Sequence, residues 1–225
     1  MFLLKQFSSC IICGLPTTRA QDLCAECLAE LPIIPHPCLC CAKPLPQTAT
    51  FCGDCLTTPP AFSATHAVFA YVPPLTHLIL NLKFQEALVN AQVFGELLAE
   101  KVQKVYPFFP DILIPVPLHP NRLRERGFNQ ALEIAKPIAK KLKIPLKKHI
   151  CTRIKPTLAQ ARLNSEERKK NLRGAFLLHQ TIKGLHIAIV DDVVTTGYTV
   201  NELSWLLKEN GARQVDVWCI ARVIL

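Results

Sequence analysis

The sequence predicts an α/β protein in which a mostly parallel, twisted sheet with flanking helices follows a small cysteine-rich module. Three observations predict it. Short apolar runs alternate with amphipathic segments from His66 to Val223, the pattern of strands joined by helical crossovers. One of those runs, Ile187–Val190, leads directly into Asp191-Asp192 and a small hydroxyl-rich turn. Four Cys-x-x-Cys pairs crowd the first 55 residues.

Each part has its own physical justification. At 225 residues the chain can bury one α/β core and still carry a small extra module. Nine of the 11 cysteines lie at or before Cys55. Eight of these form Cys10/Cys13, Cys24/Cys27, Cys38/Cys41 and Cys52/Cys55, recurring every 14 residues. The intervening residues show neither helical nor strand periodicity and are too few to stabilise a core, so a metal staple is expected. Thiols at this spacing, without a secretory leader, point to metal in a reducing cytosol rather than to disulfides. Eight thiolates suit two tetrahedral Zn²⁺ ions. They also suit an iron–sulfur cluster. Sequential pairing of the knuckles is simplest, an interleaved pairing remains open, and Cys40 could exchange with Cys41. The predicted module is 1–57, Leu56–Pro60 reads as a linker, and the α/β domain is 61–225.

Along that domain, His66–Val72 reads as a strand and Leu75–Phe84 and Leu88–Val105 as amphipathic helices. Asp111–Pro117 is a buried strand entering an arginine-dense loop, Leu118–Phe128. Asn129–Leu142 is helical in pattern, with Pro137 expected to kink it or delay its start. Ile144–Ile154 offers a second strand and Ala175–Leu178 a short one. The polar stretch Lys155–Gly174 reads as a long loop or a mobile hairpin, a kind of segment that often serves as a functional lid. Thr199–Asn210 follows as a helix capped by Gly211, and Gln214–Val223 as the last strand. Cys151 and Cys219 fall in apolar patterns, as buried structural thiols do.

Charge is uneven. Between His119 and Gly174 there are 16 Lys/Arg against 4 Asp/Glu, whereas the rest of the chain is slightly acidic. Such a block suits a polyanion, either nucleic acid or a pyrophosphate-bearing ligand. No apolar run is long enough to span a bilayer and Met1–Leu4 is too short for a signal peptide, so a cytoplasmic protein without membrane insertion is expected. There is no nucleophile elbow, Ser/His/Asp array or Walker loop to suggest covalent or nucleotide-triphosphate chemistry.

The candidate site follows from the opening motif. Thr195, Thr196, Gly197, Tyr198 and Thr199 would aim backbone N–H groups and hydroxyls at a phosphate, with a helix dipole behind them. Asp191 and Asp192 suit vicinal hydroxyls and the charge of a divalent cation or a ribosyl cation.

The run from Ile187 to Thr199 resembles the signature by which type I phosphoribosyltransferases bind 5-phosphoribosyl-1-pyrophosphate (PRPP). Ile114-Pro115-Val116-Pro117, followed by Arg122, Arg124 and Arg126-Gly127-Phe128-Asn129-Gln130, resembles the corresponding loop of the ComF (GntX-like) family of competence-associated proteins. Leu82-Lys83-Phe84 and the stretch from Asn164 to Phe176 fit the same pattern, so the likeness spans nearly the whole chain. It implies a zinc module ahead of a type I phosphoribosyltransferase-like domain, with PRPP and Mg²⁺ as ligands. By that resemblance Asp191 and Asp192 are the catalytic acids and 195–199 the phosphate loop. Arg122, Arg124, Arg126, Gly127 and Asn129 form the pyrophosphate loop. Gln160, Arg162, Arg168 and Arg173 belong to a flexible loop that folds over the ligand. The family also implies a role in natural transformation, handling incoming single-stranded DNA beside helicase or channel partners. An active phosphoribosyltransferase of nucleotide salvage is the alternative.

Overall fold

The computed structural model describes residues 8–19, 21–156 and 174–224. The first cysteine module holds a two-residue antiparallel pair, β1 (Ser8–Ser9) and β2 (Pro16–Thr17), then a single-turn helix α1 (Ala25–Ala29). The second holds α2 (Gly53–Thr57). Both helices begin straight after a cysteine, and the Cys24 thiol caps α1 by accepting from the Cys27 amide. The knuckle geometry thus creates the helical turns that the intervening sequence does not signal. Because α2 extends to Thr57, it takes in the first two residues of the expected linker.

The α/β domain is built on a four-stranded, wholly parallel sheet. Its strands are β3 (Ala64–Ala70), β4 (Ile112–Pro115), β7 (His186–Val194) and β8 (Gln214–Arg222), in the order β3-β8-β7-β4. Both faces are buried, which is why the strands read as near-continuous apolar runs. The alternation within each strand still sorts side chains between two cores. Ile112, Ile114, Ile187, Ile189, Val215 and Val217 face one side, while Leu113, Ala188, Val190, Trp218 and Ile220 face the other.

The second of these faces is covered by three helices, α3 (Leu75–Phe84), α4 (Leu88–Gln103) and α6 (Gln130–Leu142). The first face has one long helix, α7 (Tyr198–Glu209), and the second cysteine module completes its cover with Cys38 and Ala42, both fully buried. The first cysteine module instead packs on the three-helix side, where Leu23 and Leu31 join the core around Phe69 and Leu75. Its Gln21 bonds Glu100 of α4.

Helix α6 runs through Pro137 without ending. The ring of Pro137 lies against Gly95 of α4, where an added Cβ would stand 2.4 Å from both Pro137 Cγ and the Ile134 carbonyl. The proline is therefore a packing element of a close helix crossing. The loop expected at Leu118–Phe128 is partly helical, with α5 (Pro120–Arg126) capped by His119 and ended by Gly127 at φ +77°. Pro at the first helical position and Gly just past the last are the signals that explain it. The strand expected over Ile144–Ile154 shrinks to β5 (Cys151–Arg153), which pairs antiparallel with β6 (Phe176–Leu178) outside the main sheet. Leu146 merely bridges to Leu113 at the sheet edge, since Pro145 and the run Lys147–His149 interrupt any longer strand.

At the amino-terminal end of the strands a buried polar network closes the sheet. Asp216 is inaccessible, accepts from the Tyr106 hydroxyl at 2.6 Å and contacts His186 Nε2 at 2.7 Å. Burial alone would raise its carboxyl, but His186, Tyr106 and Gln214 outweigh this and hold it below the usual carboxylate range.

Candidate functional site

The site lies at the opposite, carboxyl end of the strands, where open α/β sheets bind ligands. The end of β7 supplies Asp191 and Asp192, and their side-chain oxygens accept the amides of Asp192 and Val193 at 2.9 and 2.8 Å. Lys83, from the last turn of α3, pairs with Asp192 at 2.7 Å. Desolvation pushes the Asp191 carboxyl well above the usual carboxylate range, the charge of Asp192 adds to this, and Lys83 opposes it. The two acids are crowded, and one resident cation offsets them.

Two adjoining cavities share Asp191 and Lys83. The smaller, about 210 Å³, is lined by Thr195, Gly197 and Thr199 together with Tyr71. Gly197 sits at the start of α7 with φ +83°, and an added Cβ there would come no nearer than 3.9 Å to Val194, so backbone conformation, not space, is what requires glycine. Thr196 and Tyr198 face away, into a third cavity of about 460 Å³ beside the second cysteine module. The five loop residues are thus divided between two sides.

The larger cavity, about 650 Å³, lies between Asp191/Asp192 and α5. Arg122 and Arg126, one helical turn apart, line it, as do Asn129, Gln130 and Arg153 of β5. Asn129 caps α6 with its side-chain oxygen while its Nδ2 donates to the Val116 carbonyl at 3.0 Å, fixing the turn between β4 and that helix. Arg126 stacks over Phe84 at 5.5 Å and Arg153 over Phe176 at 5.7 Å. Burial lowers the pKa of both guanidiniums; Asp192 counters this for Arg126, and Asp191 for Arg153. Arg124 bonds Asn121 at 2.6 Å and is not among the residues lining the cavity. Gly127 forms the left-handed end of α5. Gln160, Arg162, Arg168 and Arg173 lie outside the described residues.

Lys83, Arg153 and Tyr71 are the site residues that reasoning along the chain missed. Lys83 had a signal, its place in the Leu82-Lys83-Phe84 run that fits the family pattern, although that run assigns it no role; Arg153 and Tyr71 sit in ordinary strand-edge surroundings and had none. The basic segment also divides. Its arginines at 122, 126 and 153 turn into the cavity, whereas Lys136, Lys140, Lys143, Lys147 and Lys148 are exposed on the outer surface.

The cysteines form two groups, Cys10/Cys13/Cys24/Cys27 and Cys38/Cys41/Cys52/Cys55, each with four sulfurs within 4.8 Å of one another. The pairing is sequential, not interleaved. Cys40 stands outside both, buried, with its thiol directed at the Phe62 carbonyl. Burial opposes ionisation of Cys10 and Cys38, yet the amides of Cys13, Cys24 and Ile12 pull the first down to about 6. Those of Cys41, Cys52 and Cys40 pull the second to about 7. Four convergent sulfurs, one in each group with its thiolate stabilised by amides, fit tetrahedral Zn²⁺. Among the described residues no helix is long and apolar enough to cross a membrane.

Residues 7–56 match the double zinc ribbon domain. Over 224 residues the chain is 36% identical to DNA utilization protein YhgH of Salmonella typhimurium, covering 98% of this chain and 86% of that one. It is 35% identical over 161 residues to competence protein F of Haemophilus influenzae, covering 68% and 69% of the two chains. Among solved structures it is similar to a purine phosphoribosyltransferase from Pyrococcus horikoshii, at 22% identity and a TM-score of 0.38 over 59% of this chain and 72% of that one. With its paired four-cysteine ribbons ahead of a parallel α/β sheet, and its likeness to these relatives over nearly its whole length, the chain belongs to the YhgH/ComF family of competence and DNA utilization proteins.

Proposed function

We propose that the protein binds PRPP with Mg²⁺ at the carboxyl end of the sheet and acts in the handling of incoming single-stranded DNA. One observation carries the ligand reading: the acids of β7, the phosphate loop and inward-facing arginines meet around two cavities that share Asp191 and Lys83. The smaller cavity, walled by alternate loop residues at a helix start, suits the 5-phosphate. The larger, walled by Arg122, Arg126 and Arg153, suits the pyrophosphate, whose oxygens guanidiniums hold as bidentate partners. Asp191 and Asp192 between them suit the ribose hydroxyls, and their hard oxygens fit Mg²⁺, which would neutralise pyrophosphate charge. The DNA reading is supported by the names of the relatives and by the exposed lysines, which suit contact with a phosphate backbone.

A second reading, transfer of the ribosyl group to a base, is favoured by the size of the larger cavity, which is in the range of small-molecule sites. Positioning and charge stabilisation can drive displacement at the anomeric carbon without a nucleophile of the protein. Calorimetry with PRPP and Mg²⁺ tests the ligand. Binding is expected for the intact protein, with a loss of about tenfold or more for Asp191→Asn or Asp192→Asn. Unchanged affinity in both variants would discard the assignment. Pyrophosphate release with candidate bases, beside DNA binding at two salt concentrations, separates the two readings.

A further inference from the structure

Arg222 closes β8 and is 2% exposed, an unusual place for a guanidinium. Among the described residues no carboxylate forms an ion pair with it. It is satisfied by main-chain carbonyls instead. Its Nε donates to Cys41 at 2.9 Å, and its Nη1 to Val194 at 3.1 Å, to Val223 at 2.9 Å and to Thr195. Cys41 is a ligand of the second cysteine cluster, Val194 is the last residue of β7 and Thr195 is the first of the phosphate loop. One buried cation therefore joins the second ribbon to the base of the anion cradle. A second tie runs parallel to it, from the Ala61 amide, just past that ribbon, to Asn201 Oδ1 in the first turn of α7 at 2.8 Å.

We infer that Arg222 is a positioning residue through which the second four-cysteine cluster, and not the first, sets the conformation and anion affinity of the loop 195–199. The inference rests on the proposed phosphate role of that loop. The chemistry is direct. A buried guanidinium needs its acceptors in place, so the carbonyls of Cys41 and Thr195 hold one another in register. With Thr195 fixed behind, the loop that walls the smaller cavity through Thr195, Gly197 and Thr199 is held in place, and Arg222 itself lines the neighbouring cavity beside the second ribbon. A metal held by the sulfurs of Cys38, Cys41, Cys52 and Cys55 would anchor the Cys41 backbone as an acceptor, and without it that end of the link would relax. The first cluster has no such link among the described residues. It packs on the other face of the sheet, and Cys13 in it is exposed.

Hydrogen exchange read by mass spectrometry tests this with the full chain. In Cys55→Ser, which breaks the second cluster but leaves the Cys41 carbonyl, amides of 195–200 should exchange about tenfold faster, and ribose 5-phosphate should bind about tenfold more weakly, the scale of one released charged hydrogen bond. In Cys13→Ser both should stay within about twofold of the starting protein. Amides of α4 serve as the control for global opening. Arg222→Met should reproduce the Cys55→Ser loop exchange with zinc content unchanged, and Arg222→Lys should restore part of the protection. Equal loop exchange in Cys55→Ser and Cys13→Ser, or acceleration spread evenly over α4 and the loop, would overturn the inference. Should the starting protein bind no ribose 5-phosphate at all, the proposed function fails, while the exchange comparison still decides whether ribbon and loop are linked.

Discussion

The two cysteine ribbons share a ligand spacing but do different structural work. The first lies against the face of the sheet already covered by α3, α4 and α6, and adds Leu23 and Leu31 to a core that those helices largely complete. The second lies on the face that has α7 alone, and its Cys38 and Ala42 are fully buried there beside Val194 and Leu203. The lesson is that a repeated local motif takes its role from what its surroundings lack. A sheet face with one helix leaves apolar surface open, and the ribbon nearest to it becomes part of the core.

The sharpest way to break the comparison is to remove one ligand from each ribbon. Cys38→Ala should destabilise the protein by about 4 kcal/mol or more, the range in which loss of a structural metal falls. Cys13→Ala should cost clearly less, as read by denaturant unfolding with zinc content measured in parallel. Equal losses would mean that both ribbons support the fold alike.

A smaller effect probes the face on which the first ribbon packs. Gly95→Ala drives a methyl into Pro137 and the Ile134 carbonyl, so a loss of about 1–3 kcal/mol is expected. Zinc content should not change, because the atoms nearest a Cβ added at Gly95 belong to Ile134 and Pro137 and not to either cysteine cluster; a parallel fall in the PRPP affinity proposed above would show that strain at the crossing reaches the start of α6, where Asn129 and Gln130 line the larger cavity.

The smallest effect is a pH response at the end of the sheet away from the site. Asp216 has a lowered carboxyl in the folded protein, set by His186, Tyr106 and Gln214, with His66 and Asp111 close to the same network. A lowered folded value means stability that is present above the ordinary carboxylate range and is lost as pH falls through the folded value. Asp216→Asn should therefore flatten the acid limb of a stability–pH curve. A limb as steep as before would assign that slope to other groups.

Local chemistry made much of the architecture legible. The helix Leu75–Phe84 is read with its observed ends because its leucines follow helical spacing up to Gln85. The eight ligand cysteines follow from knuckle spacing, although their sequential grouping was settled by the structure, and the acids and turn at the end of β7 follow from a period and a motif. Short elements were harder. Helix α5 was hidden by its arginines, although Pro120 and Gly127 frame it, and the strand proposed over Ile144–Ile154 overestimated what Pro145 permits.

What the sequence by itself determined is therefore what neighbours along the chain enforce: sulfur spacing that closes a tetrahedron, apolar periods that select strand or helix, and a turn that only glycine adopts readily. Tertiary structure alone decided that Arg122 and Arg126 enter the cavity while Arg124 does not, that Lys83 pairs with Asp192, and that Arg222 ties Cys41 to Thr195. Each of these contacts depends on packing between elements, and Cys41 and Arg222 stand 181 residues apart. The energy that selects such a contact comes from the burial of both partners together, which the residues flanking either one do not encode.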